Sequence, residues 1–313
     1  MVSRGESALA HGKVLGREHH PRDDVELAGQ NSFHPAKGAV KCSGSFMRKY
    51  LHVINIGIQS NLAYRFNYLT RTLFSFIPLF AMLSLWRTVY GAGGSREHSG
   101  YTQAQIMFYY LLVAVVDVLT AVNEDDWQIA ADIREGNISQ FLLKPVDYLT
   151  YRLCLFVSGR LAYMAMAVIP LAVFIFCFRA NVTPPADAAA GLACLVSLVL
   201  TALLQFFISY GMAMLAFWLL EISTFIFILF AMEYLASGHM FPLDMLPPAL
   251  QTVLAFTPFP YEMYFPVSVY LGRAAGHALV CGLLTQLAWV LAAYLFARVM
   301  WWRGIKKYSA FGG

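Results

Sequence analysis

Residues 188–220 read AAAGLACLVSLVLTALLQFFISYGMAMLAFWLL. A membrane-spanning helix needs about 20 predominantly apolar residues, each rising about 1.5 Å through a hydrocarbon core about 30 Å thick. This run is longer than that, so it predicts a span that tilts or extends beyond the hydrocarbon. Comparable apolar runs occupy 73–90, 104–122 and 153–178 before it, and 222–237 and 278–300 after it. Six transmembrane helices are expected. Composition agrees, because 59% of the 313 residues are hydrophobic and 13% charged, with a mean hydropathy of +0.58, whereas soluble domains carry about 25% charged residues. The chain reads as an all-α integral membrane protein.

Lysine and arginine concentrate in loops on the cytoplasmic side of a membrane protein. Arg48, Lys49, Arg65 and Arg71 precede the first run, Arg134, Lys144 and Arg152 lie between the second and third, and Arg298, Arg303, Lys306 and Lys307 close the chain. The opposite side holds Arg87, Arg96, Arg179 and Arg273. This asymmetry places both termini in the cytoplasm, which independently requires an even number of spans. Trp86 and the Trp301-Trp302 pair fit interfacial anchors. The net charge of +4 reads as topology and attraction to anionic membrane lipids, with no nucleic-acid partner expected.

Residues 1–46 differ from the rest: they are polar, mixed in charge and lack an apolar run. They are expected to form a disordered leader and carry no signal-peptide core. A functional tail and a leader foreign to the protein are both open readings. Residues 47–313 form the expected transmembrane domain. Within 47–68, Arg48, His52, Asn55 and Gln59 recur at helical spacing beside an apolar stripe of Leu51, Ile54, Ile58 and Leu62. That pattern suggests a helix lying in the cytoplasmic interface. Arg65 breaks the stripe, and an ordinary amphipathic packing helix is the other reading. The five cysteines (Cys42, Cys154, Cys177, Cys194, Cys281) form no C-x-x-C pair and no metal-ligand spacing with histidine, so they read as buried small residues.

The loop between the second and third runs is the most informative segment. It begins Glu124-Asp125-Asp126-Trp127, continues through Arg134-Glu135-Gly136-Asn137-Ile138 and ends Phe141-Leu142-Leu143-Lys144-Pro145. Acids at its start favour a helix N-terminus, and Gly136-Asn137 is a helix stop. Trp127, Ala130 and Ile133 are expected on one face, leaving Asp125, Asp132 and Arg134 to water or a partner. A lipid-surface helix without a partner is the alternative.

Three features together resemble one family, the ABC type-2 transporter permeases, and a bacterial branch within it. They are Ile133-Arg134-x-Gly136-x-Ile138 running into Leu142-Leu143-Lys144-Pro145; Ser237-Gly238-x-Met240-Phe241-Pro242-Leu243 with Leu246-Pro247 and Pro258-Phe259; and the ending Trp302-Arg303-Gly304-Ile305-Lys306-Lys307-Tyr308. The resemblance implies six spans preceded by an interfacial helix, in a bacterial cytoplasmic membrane. It implies a cytoplasmic coupling helix within residues 127–136, with Trp127, Ile133, Arg134 and Gly136 meeting a separate ATP-binding subunit. It also implies a dimer with itself or a sister permease, and short re-entrant helices over 238–272. Independently, Pro242, Pro247, Pro248, Pro258, Pro260 and Pro266 rule out one straight helix there, and irregular backbone at membrane depth must be shielded from lipid.

No G-x-x-x-x-G-K-[ST], H-E-x-x-H or G-x-S-x-G occurs. The chain is expected to be no enzyme and to hold no cofactor of its own, with ATP and magnesium on the partner. Asp117, Arg160 and Glu233 fall within apolar runs, where a central charge costs about 2.5–3.5 kcal/mol on insertion scales. Asp117 and Glu233 are therefore intramembrane polar site candidates, against an Asp117–Arg160 structural pair and a backbone or hydroxyl partner for Glu233. Phe206, Phe207, Tyr210, Phe217, Phe225, Phe227 and Phe230 could line an apolar route or simply pack. Ser209, Gly211 and Ala213 suit close helix approach, as at a permease interface. The leading expectation is the permease of an ATP-driven exporter; a proton-driven carrier using Asp117 and Glu233, and a membrane scaffold, are its rivals. Lipid, drug, peptide and polysaccharide cargoes stay open.

Overall fold

The computed structural model describes residues 42–63, 65–92, 97–98, 100–122, 125–177, 187–219 and 221–308. Most of the expected leader, and Glu124, Arg96 and Arg179, lie outside the described residues, as do the side chains of Asp125, Arg65, Arg71, Cys42 and Cys177. The first helix, α1 (Cys42–Ala63), is followed by α2 (Arg65–Ala92), a two-residue antiparallel ladder β1 (Glu97–His98) and β2 (Tyr101–Thr102), and α3 (Gln103–Thr120). The ladder pairs Glu97 with Thr102 and His98 with Tyr101. Thr102 then starts α3 through a capping box: its hydroxyl accepts from Gln105 N at 3.3 Å, and Gln105 Oε1 accepts from Thr102 N at 3.0 Å.

The loop after α3 holds α4 (Asp125–Arg134) and α5 (Ile138–Leu142), and leads into α6 (Tyr148–Cys177) and α7 (Ala188–Ala213). A 3-10 turn, Met214–Phe217, prolongs α7 before α8 (Ser223–Ala236). Over the proline-rich stretch the chain forms only short pieces, α9 (Pro248–Ala255) and α10 (Tyr264–Tyr270) with 3-10 turns at Leu243–Met245 and Phe259–Tyr261. The last helix is α11 (Gly276–Lys307).

Among the described residues, five segments are long and apolar enough to cross a membrane: Thr72–Gly91, Gln103–Thr120, Tyr148–Phe176, Ala188–Phe217 and Gly276–Lys307. They coincide with five of the six expected runs. The sixth run is α8, whose 14 residues rise about 21 Å, less than a hydrocarbon core about 30 Å thick. It stops early because Gly238 turns the chain at φ +101°, a conformation that L side chains rarely adopt.

The long helix α7 occupies the middle, packing against α3, α4, α8, α10 and α11. Its buried face carries Leu204, Phe206, Phe207 and Tyr210, which join Ile129 and Ile133 of α4, Tyr148 of α6 and Ala297 of α11 in one cluster. A second cluster joins Leu79 and Leu83 of α2, Ile106 and Tyr109 of α3, and Met263 and Val267 near α10. Gly211 lets α11 approach, since a Cβ there would lie 2.6 Å from the Phe296 ring. The small residues expected at a permease interface thus serve, at Gly211, a contact inside this chain. Leu192, Leu195 and Leu284 stay exposed, which costs nothing in lipid because acyl chains are as apolar as leucine.

The α1 stripe is offset from the one expected. Among the described side-chain positions of α1, Tyr50 and Gly57 are buried, whereas Leu51 and Leu62 are exposed. The cause is a close approach: a Cβ on Gly57 would run into the Ser158 side chain of α6. Asp147 N also donates to Tyr50 Oη at 3.2 Å, fixing α1 to the start of α6.

Candidate functional site

The loop helix α4 is built from local signals and held by distant ones. Asp126 Oδ1 accepts from Trp127 N at 2.9 Å at its start, and Gly136 ends it at φ +79°. Ile129, Ala130 and Ile133 are buried against α7, the Met214–Phe217 turn and the start of α8. Trp127 is 42% exposed, so it does not share their face as expected. Arg134 is exposed and lies seven residues on, two helical turns from Trp127. Asp132, expected to face water or a partner, instead pairs with Arg152 of α6. Tyr148 Oη donates to Asp132 Oδ2 at 2.9 Å and accepts from Arg152 Nε at 3.0 Å. Removing either charge would strand the other in a largely buried setting.

The loop is also anchored to α11. Tyr308 Oη donates to the Gly136 carbonyl at 3.0 Å, joining the first and third features that carry the resemblance. Trp301, expected as an interfacial anchor, stacks on Tyr148 with centroids 5.0 Å apart and planes at 14°. Trp302 remains 59% exposed. Asp147 caps α6 by accepting from Thr150 N at 3.0 Å, and also accepts from Arg298 of α11 at 2.6 Å. Burial pushes the Asp147 carboxyl up, but the Arg298 and Thr150 hydrogen bonds outweigh it and hold its pKa below the ordinary aspartate value.

Beside α4 lies a cavity of about 520 Å³ that reaches His239 just after α8. Asp117, Asp126, Trp127, Arg160, Gln205 and Glu233 line it, so the loop helix, α3, α6, α7 and α8 all contribute. A second cavity of about 180 Å³ shares Ser75, Asp117, Tyr234 and His239 with it and continues to Tyr110. Among the described residues the neighbour of Asp117 is the His239 imidazole, with Nε2 3.7 Å from Oδ1, rather than Arg160. Arg160 donates to Val118 O at 3.4 Å and lies over the Phe156 and Tyr163 rings. Glu233 has a second carboxyl, Glu262, as its neighbour, rather than the backbone or hydroxyl partner expected. Glu262 is wholly buried, and neither of its oxygens has a hydrogen-bond partner of good geometry.

The short helices are tied to α3 by tyrosines. Tyr109 Oη donates to Gly238 O at 2.6 Å and Tyr110 Oη to Met240 O. Asp244 gathers Tyr101 Oη at 2.9 Å, Tyr264 Oη, and Arg273 Nη1 at 3.0 Å. Burial, then the Asp244 charge, push the Tyr101 phenol upward. At the far side Gln286 Nε2 of α11 reaches Ser197 O, Thr201 Oγ1 and Tyr261 O within 3.1 Å. Carbonyls freed by the irregular backbone are thereby satisfied internally, as low-dielectric surroundings require.

The sequence pattern missed Gln205, His239, Asp244 and Glu262. His239 occupies the variable position of Ser237-Gly238-x-Met240, and Glu262 follows Pro260-Tyr261; a charge or imidazole inside a proline-broken apolar stretch was the available signal. The expected aromatic set divides: Phe206, Phe207 and Tyr210 are core, while Phe227 and Phe230 line the cavity. Cys154 and Cys194 are buried as expected, and Cys281 is exposed. Among the described residues no group of three or more His, Cys, Asp or Glu could hold a metal ion.

The family model for ABC-2 family transporter protein matches residues 74–312. No curated protein matches the chain at a significant level.

Proposed function

Since the chain belongs to the ABC-2 family of transporter proteins, and is thus a membrane permease component of an ABC transporter, we propose that α4 is its coupling helix to a separate ATP-hydrolysing subunit. One observation carries this reading. Trp127 and Arg134 are exposed two turns apart on α4, while the opposite face is fastened to α6 and α7 through Asp132–Arg152, Ile129 and Ile133. A push on the exposed face would reach the spans as a rigid-body displacement, because packed side chains transmit strain instead of absorbing it. Gly136 shapes the end of this element, and Ile133 roots it in the core.

In this reading the chain crosses the bacterial cytoplasmic membrane six times, with α8 as the fifth crossing and both termini in the cytoplasm. Exposed Leu51 and Leu62 of α1 rest on lipid at the interface, and α9 and α10 form a re-entrant cap toward the outside. Residues 47–313 are the permease domain, and 1–46 a polar leader outside it. Two copies, or this chain and a sister permease, enclose the route, and ATP with magnesium is consumed on the partner subunit as cargo leaves the cell.

The test is co-purification of the ATP-binding subunit with the tagged full chain in mild detergent. Trp127→Ala with Arg134→Glu leaves the packing face of α4 at Ile129, Ala130 and Ile133 intact and is expected to release that subunit at equal membrane abundance. Retention of the ATPase by this variant would remove α4 from the coupling role.

A further inference from the structure

We infer that the 520 Å³ cavity is a binding site for a protonated amphipathic amine: a ligand with an ammonium N–H at one end and an aromatic or aliphatic body. The inference deepens the permease reading, on which it rests for the ligand being cargo. Three independent properties of the wall point to this class. Its carboxyl groups outnumber its cationic ones, with Asp117, Asp126 and Glu233 against Arg160 and, when protonated, His239, and the Arg160 guanidinium is already engaged by Val118 O and two aromatic rings. Asp117 keeps 46% of its side chain exposed, and among the described residues its ion-pair neighbour is the His239 imidazole at 3.7 Å, so it can accept from an incoming cation.

The second property is an unused acceptor. Gln205 is 4% exposed and lines the cavity, yet its Oε1 has no hydrogen-bond partner. A buried amide oxygen left unpaired is costly, and turning the amide would present that oxygen to a donor in the cavity. An ammonium or protonated secondary amine supplies such a donor; a quaternary ammonium or an anion does not.

The third property is the apolar remainder. Trp127, Phe227, Phe230 and Tyr234 present ring surface to the same space, suited both to the body of the ligand and to cation–π contact with its charged end. Because Trp127 belongs to α4, an occupied cavity would be felt by the helix assigned to the ATPase. The ammonium could come from a soluble amine or from an aminolipid headgroup.

The test is equilibrium binding of monodansylcadaverine, a fluorescent primary amine, to the full chain in phosphatidylcholine nanodiscs without any ATPase. Saturable binding is expected, at least tenfold weaker for the neutral N-acetylated probe and for Asp117→Asn with Glu233→Gln, and several-fold weaker for Gln205→Leu. Monodispersity and unchanged thermal unfolding certify the variants, and Phe225→Ala, outside the cavity wall, is the control expected to bind as the parent does. Adding phosphatidylethanolamine to the discs separates the sources: displacement of the probe assigns the ammonium to a lipid, and no displacement to a soluble amine, with the ligand class upheld in both. Equal affinity for the acetylated probe, or unchanged affinity in both acid and Gln205 variants, would overturn the inference while leaving the ATPase-coupling reading untouched.

Discussion

Tyr308 Oη and the Gly136 carbonyl oxygen, 172 positions apart, are joined by a 3.0 Å hydrogen bond. The bond ties the end of the loop helix to the end of the last long helix, so the two move together. Tyr308→Phe removes it without changing packing volume and is expected to cost about 1 kcal/mol, read as a lower midpoint of thermal unfolding in detergent. Gly136→Ala meets no steric barrier, since a Cβ would lie 3.5 Å from the Tyr308 hydroxyl. It must instead hold an alanine at φ +79°, about 1–2 kcal/mol. Because Gly136→Ala distorts the acceptor of the same bond, the two losses are expected to combine less than additively; full additivity would mean that the bond does not contribute in solution.

Arg152 is buried and holds Asp132 with the help of Tyr148 and, at 3.4 Å, Gln128. Arg152→Met leaves a carboxylate uncompensated and is expected to destabilise by about 3 kcal/mol. Adding Asp132→Leu should restore much of that loss, because a volume-matched apolar pair is often as stable as the ion pair. Unfolding curves of the single and double variants decide it, and a double variant no better than the single would refute the pairing argument.

Asp147 carries a pH signature. Its folded pKa lies below the ordinary aspartate value, so its contribution is complete above the unfolded pKa, about 3.9. It is lost as pH falls through the lower folded value. Thermal midpoints of the parent should therefore drop between about pH 4 and pH 2 more steeply than those of Asp147→Asn. Parallel pH profiles for the two proteins would show that Arg298 does not hold this carboxylate.

What the sequence made legible was local. The start of α4, marked by the acids Glu124-Asp125-Asp126 in the sequence, and its stop at Gly136 are set within a turn, and both could be read directly. The face of that helix could be read only in part: at about 100° per residue Trp127 stands about 120° from Ile133, so it falls at the edge of the buried sector centred on Ile129, Ala130 and Ile133. Asp117 and Glu233 stood out as charges inside apolar runs. Gln205 and His239 did not, since a neutral polar residue in a span is ordinary until its neighbours are known. The Asp132–Arg152 and Asp147–Arg298 pairs depend on helices meeting across the bundle, which no spacing along one helix encodes.

Gly238 is expected to be the least tolerant glycine of the short-helix region. Its φ is +101°, and a Cβ would lie 2.8 Å from Tyr109 Oη and 3.0 Å from Tyr264 Cβ. Backbone strain and displaced tyrosines act together, so Gly238→Ala should cost more than about 2 kcal/mol. It should also weaken the Tyr109 bond to the carbonyl of the same residue. Unfolding measured for Gly238→Ala alone and in a Tyr109→Phe background tests this, with a smaller penalty expected where the hydroxyl is already gone.

The number of crossings turns on α8, and two exposed positions decide it. Leu143, 89% exposed in the loop after α5, and Ala275, exposed just before α11, are separated by α6, α7 and α8. If α8 crosses with α6 and α7, the chain passes the membrane three times between them and they lie on opposite sides; if α8 turns back, they lie on one side. An apolar helix of 14 residues can still cross where the bilayer thins around it or where flanking residues complete the path, at fractions of a kcal/mol per Å of mismatch. In a background with the native cysteines replaced by serine or alanine, a membrane-impermeant maleimide should label Ala275→Cys in intact cells. Leu143→Cys should react only after the cytoplasmic face is opened. Labelling of both from one face would reduce the fold to five crossings and would place the amino and carboxyl ends of the membrane domain on opposite sides.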